Sequence, residues 1–198
     1  MASIQPPPPV KFFVAVLFKD TADLDRAREQ LIALWGAIDY EGADHVFDVT
    51  KYYESEMGAP LFRRLLAFEK MDAPSLLVGM KLACNEIEGR LAAEDGRRTV
   101  NCDAGYLDHN KVVLASAKEA GQKIYIDKGI YADLAARYKS GKYQPFEWSF
   151  PDFKDGRYDD ELLAIRSIYL KQTREIRDSM HEHLPSNAGI RKNQVSQS

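Results

Sequence analysis

Between Tyr52 and Tyr106 the chain sets four polar clusters among apolar residues: the run Tyr52, Tyr53, Glu54, Ser55, Glu56, Met57, Gly58; the pair Arg63 and Arg64; the pair Asn85 and Glu86; and the run Asn101, Cys102, Asp103, Ala104, Gly105, Tyr106. These residue types suit two kinds of chemistry. Guanidinium groups hold anions through a rigid fork of N–H donors, and carboxylates such as Glu56, Glu69 and Asp103 give or accept protons. Asn101 and Asp103 fall two apart, so an extended strand points both to one face. Such a pair either contacts a ligand or bonds nearby backbone at a strand end. The expected site is a sheet-lined polar pocket for a small anionic or nucleotide-like ligand. Its residues are Arg63, Arg64, Asn101, Asp103 and Tyr106, with Tyr53 and Glu56 as wall or lid and Glu69 as a further acid or base. The alternative is a protein–protein interaction module whose polar clusters only hold the fold.

The two arginines carry different expectations. Arg64 alternates with Phe62, Leu66 and Phe68, where an unpaired guanidinium is costly to bury, so it snorkels, pairs with a carboxylate or binds an anion. Arg63 shares its face with Glu69, and a surface ion pair of small worth is expected there.

Several mechanisms lack their patterns. Ser140, Gly141 and Lys142 superficially suggest a phosphate loop, but Ala136 stands where its first glycine belongs and Tyr143 where Ser or Thr must follow the lysine. Asn110 and Lys111 precede valines, without the aspartate that reads guanine. The chain is therefore not expected to be a P-loop GTPase. Ser116 and Ser149 sit in no nucleophile elbow. Asp44, His45 and Asp48 with Asp103, Asp108 and His109 match no metal-ligand spacing, so no metal site is expected, and no cofactor is specified. Cys84 and Cys102 fit free, reduced core thiols.

These side chains need elements to position them. Residues 11–18 are continuously apolar, β-branched or aromatic, which predicts a central strand covered on both faces. Asp20 stands at an N-cap position, Leu24, Ala27, Leu31, Leu34 and Trp35 recur at helical spacing, and Gly36 closes that helix. Val46 and Val49 hint at a short strand before the tyrosine-rich loop. Residues 61–69 alternate as a strand with one arginine on each face. Asp72 and Pro74 open a second helix with Leu77, Met80, Cys84, Ile87 and Leu91 as its stripe. Residues 99–105 alternate again. This order, β-α-β-β-α-β, predicts an α+β fold with a ferredoxin-like core. Beyond it, residues 112–116 read as either helix or strand. Hairpins are expected at Asp127 to Gly129 and at Ser140 to Gly141, then an aromatic run over 146–153 and a last helix from Asp159. Residues 1–9 form a proline-rich disordered arm, 10–180 one domain and 181–198 a disordered tail.

Bulk properties bound the class. A chain of 198 residues, 45% hydrophobic and 29% charged, has the make-up of one globular domain. With a net charge of -3 and no aromatic RNA-binding pattern, nucleic acid is not an expected partner. The apolar run 12–18 is too short to span a bilayer and follows prolines, so neither a membrane span nor a leader peptide is expected, and the default location is the cytoplasm. Oligomeric assembly stays open.

Six segments, Tyr52 to Gly58, Leu61 to Leu65, Asn101 to Leu107, Val113 to Ser116, Gly129 to Ala132 and Trp148 to Asp152, occur in an order that resembles the bacterial domain of unknown function 4416, over about residues 10–172. That family usually carries proline where Ala104 stands. Its members are often labelled GTP-binding, a label the resemblance extends to this chain, and it supplies no catalytic residues.

Overall fold

The computed structural model describes residues 3–182. Its centre is β1 (Val10–Phe18), all nine of whose residues are buried. Alternation sends Phe12, Val14, Val16 and Phe18 into one core, and Phe13 and Ala15 into another. A strand apolar on both sides needs cover on both. Helices α1 (Thr21–Trp35) and α3 (Leu77–Leu91) supply it on one face through Leu24, Ala27, Leu31, Met80, Cys84 and Ile87. The last helix, α5 (Asp159–Glu182), supplies it on the other through Leu162, Ile165 and Tyr169.

The remaining elements are β2 (Ile38–Glu41), β3 (His45–Val46), the one-turn helix α2 (Glu54–Met57), β4 (Phe62–Asp72), β5 (Val100–Leu107), β6 (Lys111–Ser116), β7 (Ile124–Asp127), β8 (Ile130–Lys139), β9 (Lys142–Pro145) and the short α4 (Pro151–Lys154). Among the described residues the strands form one sheet in the order β2-β4-β1-β5-β6-β8-β7, with β3 on β4 and β9 on β8. Every strand pairing is antiparallel. The result is a mixed α and β protein built on a large antiparallel sheet.

Local expectations meet the structure as follows. Gly36, at φ 87, ends α1 by donating its N–H to the Ile32 carbonyl. Asp20 caps through its backbone carbonyl, which accepts from Asp23 and Leu24, and its side chain makes no cap bond. Asp72 closes β4 instead of opening a helix, and a 3-10 turn over Pro74–Leu76 leads into α3. Residues 112–116 lie within strand β6. Both hairpins form, while the aromatic run makes turns and α4, with the rings of Phe146 and Trp148 stacked at 4.8 Å. Residues 3–9 have no regular secondary structure, and Pro7 and Pro8 lie beside Tyr106 and His109. The expected tail begins inside α5, and residues 183–198 lie outside the described residues. Among the described residues no helix is long and apolar enough to cross a membrane.

Candidate functional site

Two neighbouring strands, β5 and β6, are matched over a short stretch and then part. β5 pairs with β1 along its whole length, from Val100 to Leu107. Its register with β6 covers Gly105, Tyr106 and Leu107 alone, while β6 follows β8 as far as Ser116. Beyond Gly105 the two strands part and enclose a cleft of about 240 Å³. Gly105 stands at the apex, where a Cβ would lie 2.8 Å from the Val113 carbonyl oxygen and 2.7 Å from Leu114 Cδ2. A side chain there would hold the strands apart where they must meet.

Parting exposes the β5 backbone to the interior, where an unpaired peptide group is costly. Two side chains of α3 take the place of the missing strand. The Cys102 N–H donates to Glu88 Oε1 at 2.7 Å, and the Cys102 carbonyl accepts from Lys81 Nζ at 2.9 Å. This accounts for two charged residues on the inner stripe of a core helix. Burial pushes the Glu88 carboxyl up from its ordinary pKa, against the pull of Lys81. Burial also works to lower the Lys81 pKa, but Asp103 and Glu88 outweigh it and hold the ammonium above its ordinary value.

Behind the cleft, buried Arg63 donates to Asp152 of α4 and to Asp103 at 3.1 Å, and its guanidinium lies 4.6 Å from the centre of the Phe47 ring. Asp152 also accepts from the Tyr158 hydroxyl at 3.0 Å. Asp103 accepts from Asn101 Nδ2 at 3.0 Å and lies 3.6 Å from Lys81. At the rim Arg98 forks onto Glu56 at 2.8 and 2.6 Å and donates to Asn101 Oδ1. The hydrogen bonds from Arg98 hold the Glu56 carboxyl below the usual range. Tyr53 lies under Arg98, its pKa pushed up to about 12 by burial and then by Asp103.

The opposite wall comes from β6 and the turn after it. Ser116 Oγ accepts from the Lys118 N–H at 3.1 Å and from Lys123 Nζ at 2.9 Å, and donates to the Lys118 carbonyl. Lys123 lies 3.6 Å from Asp133, whose carboxyl burial pushes up. Across the mouth, Lys118 Nζ donates to the Tyr52 hydroxyl at 2.9 Å. Phe150 completes the lining.

Five of the eight residues expected in a pocket meet here. Tyr53, Asn101 and Asp103 line the cleft, Arg63 reaches Asp103 from behind, and Glu56 grips Arg98. The other three lie elsewhere. Arg64 sits on the α1 side of the sheet with Glu41 and Asp44 at 2.6 and 2.7 Å. Tyr106 packs edge-on against Phe12, and Glu69 is exposed along β4. Arg64 thus pairs with carboxylates, one of the outcomes expected of it, whereas Arg63 departs from expectation: it is buried and doubly paired with aspartates instead of meeting Glu69 at the surface. On its face lie Asp152 of α4 and the ring of Phe47, which follows β3. Lys81, Glu88, Arg98, Ser116, Lys118 and Lys123 fall outside the polar clusters of the sequence. For Lys81 and Glu88 a signal existed, because each falls four residues after a member of the apolar stripe, Leu77 and Cys84.

Among the described residues no three His, Cys, Asp or Glu side chains group as a metal ion would need, and both cysteines are free and buried. No curated protein and no solved structure matches the chain. A family does: the domain of unknown function DUF4416 matches residues 8–169, from just before β1 into α5, and the chain belongs to that family.

Proposed function

We propose that the cleft between β5 and β6 binds a small polar or anionic ligand. The observation that carries this reading is the parting of two neighbouring strands, with Lys81 and Glu88 satisfying the β5 edge, so that a polar space persists where a sheet would otherwise close. Its lining includes the cations Lys81, Arg98, Lys118 and Lys123 against the carboxylates Glu88 and Asp103, in a chain whose net charge is -3. A converging set of polar groups in a concavity is the usual form of a ligand site. In this reading Tyr53 and Asn101 contact the ligand, Arg63, Asp103 and Glu56 fix the positions of others, and the Tyr52 to Lys118 bond spans the entrance. Arg64, Tyr106 and Glu69 have no part in it.

The strand order also supports a ferredoxin-like unit made of β1, α1, β2, β4, α3 and β5. The stretch β2-β4-β1-β5 is antiparallel throughout, with both helices on one face. The cleft then lies where that unit meets its extension, β6 to β9.

A thermal unfolding screen with small anions, neutral polar compounds and nucleotides tests the binding reading. A ligand at a hundred times its Kd adds about 2.7 kcal/mol, or roughly 5–10 °C in a domain of this size. A panel in which no compound moves the midpoint rejects it. One observation favours the interaction-module reading: the edge strand β7 is exposed throughout, with Ile124 70% exposed and Tyr125 58%. Self-association measured by light scattering, together with a silent ligand panel, would select that reading.

A further inference from the structure

If the cleft is a binding site, its size and its unspent donors narrow what it takes. A volume of about 240 Å³ corresponds to about eight water molecules at about 30 Å³ each, and so to a compound of about that many non-hydrogen atoms. A nucleoside triphosphate is several times larger.

The two walls also differ in what they have left to offer. On the α3 side the charges are already matched. Glu88 accepts the Cys102 N–H and faces Arg98 at 3.5 Å, Asp103 accepts from Arg63 and Asn101, and Arg98 is forked onto Glu56. On the β6 side, Lys118 has only the neutral Tyr52 hydroxyl as a side-chain hydrogen-bond partner and forms no ion pair among the described residues. The Lys118 N–H and the Lys123 ammonium both point at one neutral oxygen, Ser116 Oγ. The Lys123 side chain is 10% exposed and ion-paired with Asp133 at 3.6 Å, which leaves Lys118 as the cation of this wall that no carboxylate among the described residues meets. A charged donor held only on a neutral acceptor favours negatively charged oxygens.

We infer that the ligand is a compact oxyanion, a phosphate group on a body of about two or three carbon atoms, held at the β6 wall by Lys118, Lys123 and Ser116. A whole nucleotide does not fit within this volume. The test is calorimetric titration of the full chain with inorganic phosphate, 2-phosphoglycolate and GTP at fixed ionic strength. The expected result is one-to-one binding of 2-phosphoglycolate, tighter than that of inorganic phosphate, which GTP does not displace. Lys118→Ala, a change at an exposed side chain, should weaken that binding about tenfold, the effect of losing a charged hydrogen bond. Lys123→Met risks folding because Asp133 would lose its cation, so its binding is read only after its circular dichroism and unfolding midpoint match those of the parent.

GTP binding in competition with 2-phosphoglycolate would overturn the size inference and leave the proposed cleft standing. Binding of 2-phosphoglycolate that Lys118→Ala leaves unchanged would overturn the assignment to the β6 wall. Silence of all three compounds, with a neutral polar panel binding instead, would overturn the anion class alone; silence of every compound would remove the cleft reading with it.

Discussion

Arg63 and Arg64 are neighbours on β4 that face opposite sides of the sheet, and their environments predict opposite sensitivities. Asp152, bonded to Arg63, is 1% exposed. Arg63→Ala strands that carboxylate in the interior and should cost about 3–5 kcal/mol in urea unfolding, whereas Arg64→Ala should cost about 1 kcal/mol or less because its pairs reach water. Equal losses in the two variants would contradict the buried network. Glu88 and Glu56, on either side of Arg98, should respond to pH with opposite sign. Burial raises the Glu88 pKa, so between the ordinary glutamate value of about 4.3 and its raised value the folded chain binds a proton that the unfolded chain does not, and stability falls as pH rises through that window. Relative to Glu88→Gln, the parent protein should therefore gain stability as pH drops from neutral toward about 4.3. Glu56 is held low by its hydrogen bonds to Arg98, so its contribution is present at neutral pH and is lost only as pH falls below about 4.3. Urea midpoints of parent, Glu88→Gln and Glu56→Gln across this range give the two signs directly. The alternation that turns Arg63 and Arg64 to opposite faces is legible in the sequence. Which of them is buried is not, because that depends on Asp152, 89 positions further along the chain.

At the level of elements, the doubly apolar β1 and the stripes of α1 and α3 follow from periodicity, since each repeats one environment over many residues. The parting of β5 from β6 has no periodic signature. It arises where Gly105 permits close approach and where Lys81 and Glu88 occupy the edge that β6 leaves, a three-way arrangement of segments far apart in sequence. The aromatic run 146–153 carries no periodic signal for a related reason: its residues are fixed by single contacts, such as the Ser149 hydroxyl donating to the Ala135 carbonyl and the Trp148 indole donating to the Leu134 carbonyl. Gly105→Ala tests the apex. Its methyl would press on the Val113 carbonyl oxygen and the Phe13 ring, so it should cost about 1–3 kcal/mol by overpacking. If the seam is what yields, fluorescence of the nearby tyrosines should change with it. A variant as stable as the parent would mean that the strands have room to spare at that point.

On the scale of the whole molecule, α5 lies across both sides of the seam. Its Leu162, Ile165 and Tyr169 belong to one core with Leu65 of β4, Leu107 of β5, Leu114 of β6 and Ala135 of β8. Hydrogen exchange should therefore show β1, β4 and β5 protected to the level of global unfolding, and β6 with β8 releasing their amides together at a lower free energy. Uniform protection across the sheet would show the seam to be no weaker than its neighbours. With three matched residues at one end and side chains as substitutes at the other, β6 and the strands beyond it are mounted like a door whose hinge is the stretch from Gly105 to Leu107. If the cleft binds a ligand as proposed, a few degrees of swing about that line would widen the entrance near Ser116 while α5 keeps the two leaves attached, and a guest would pass without any strand leaving the sheet.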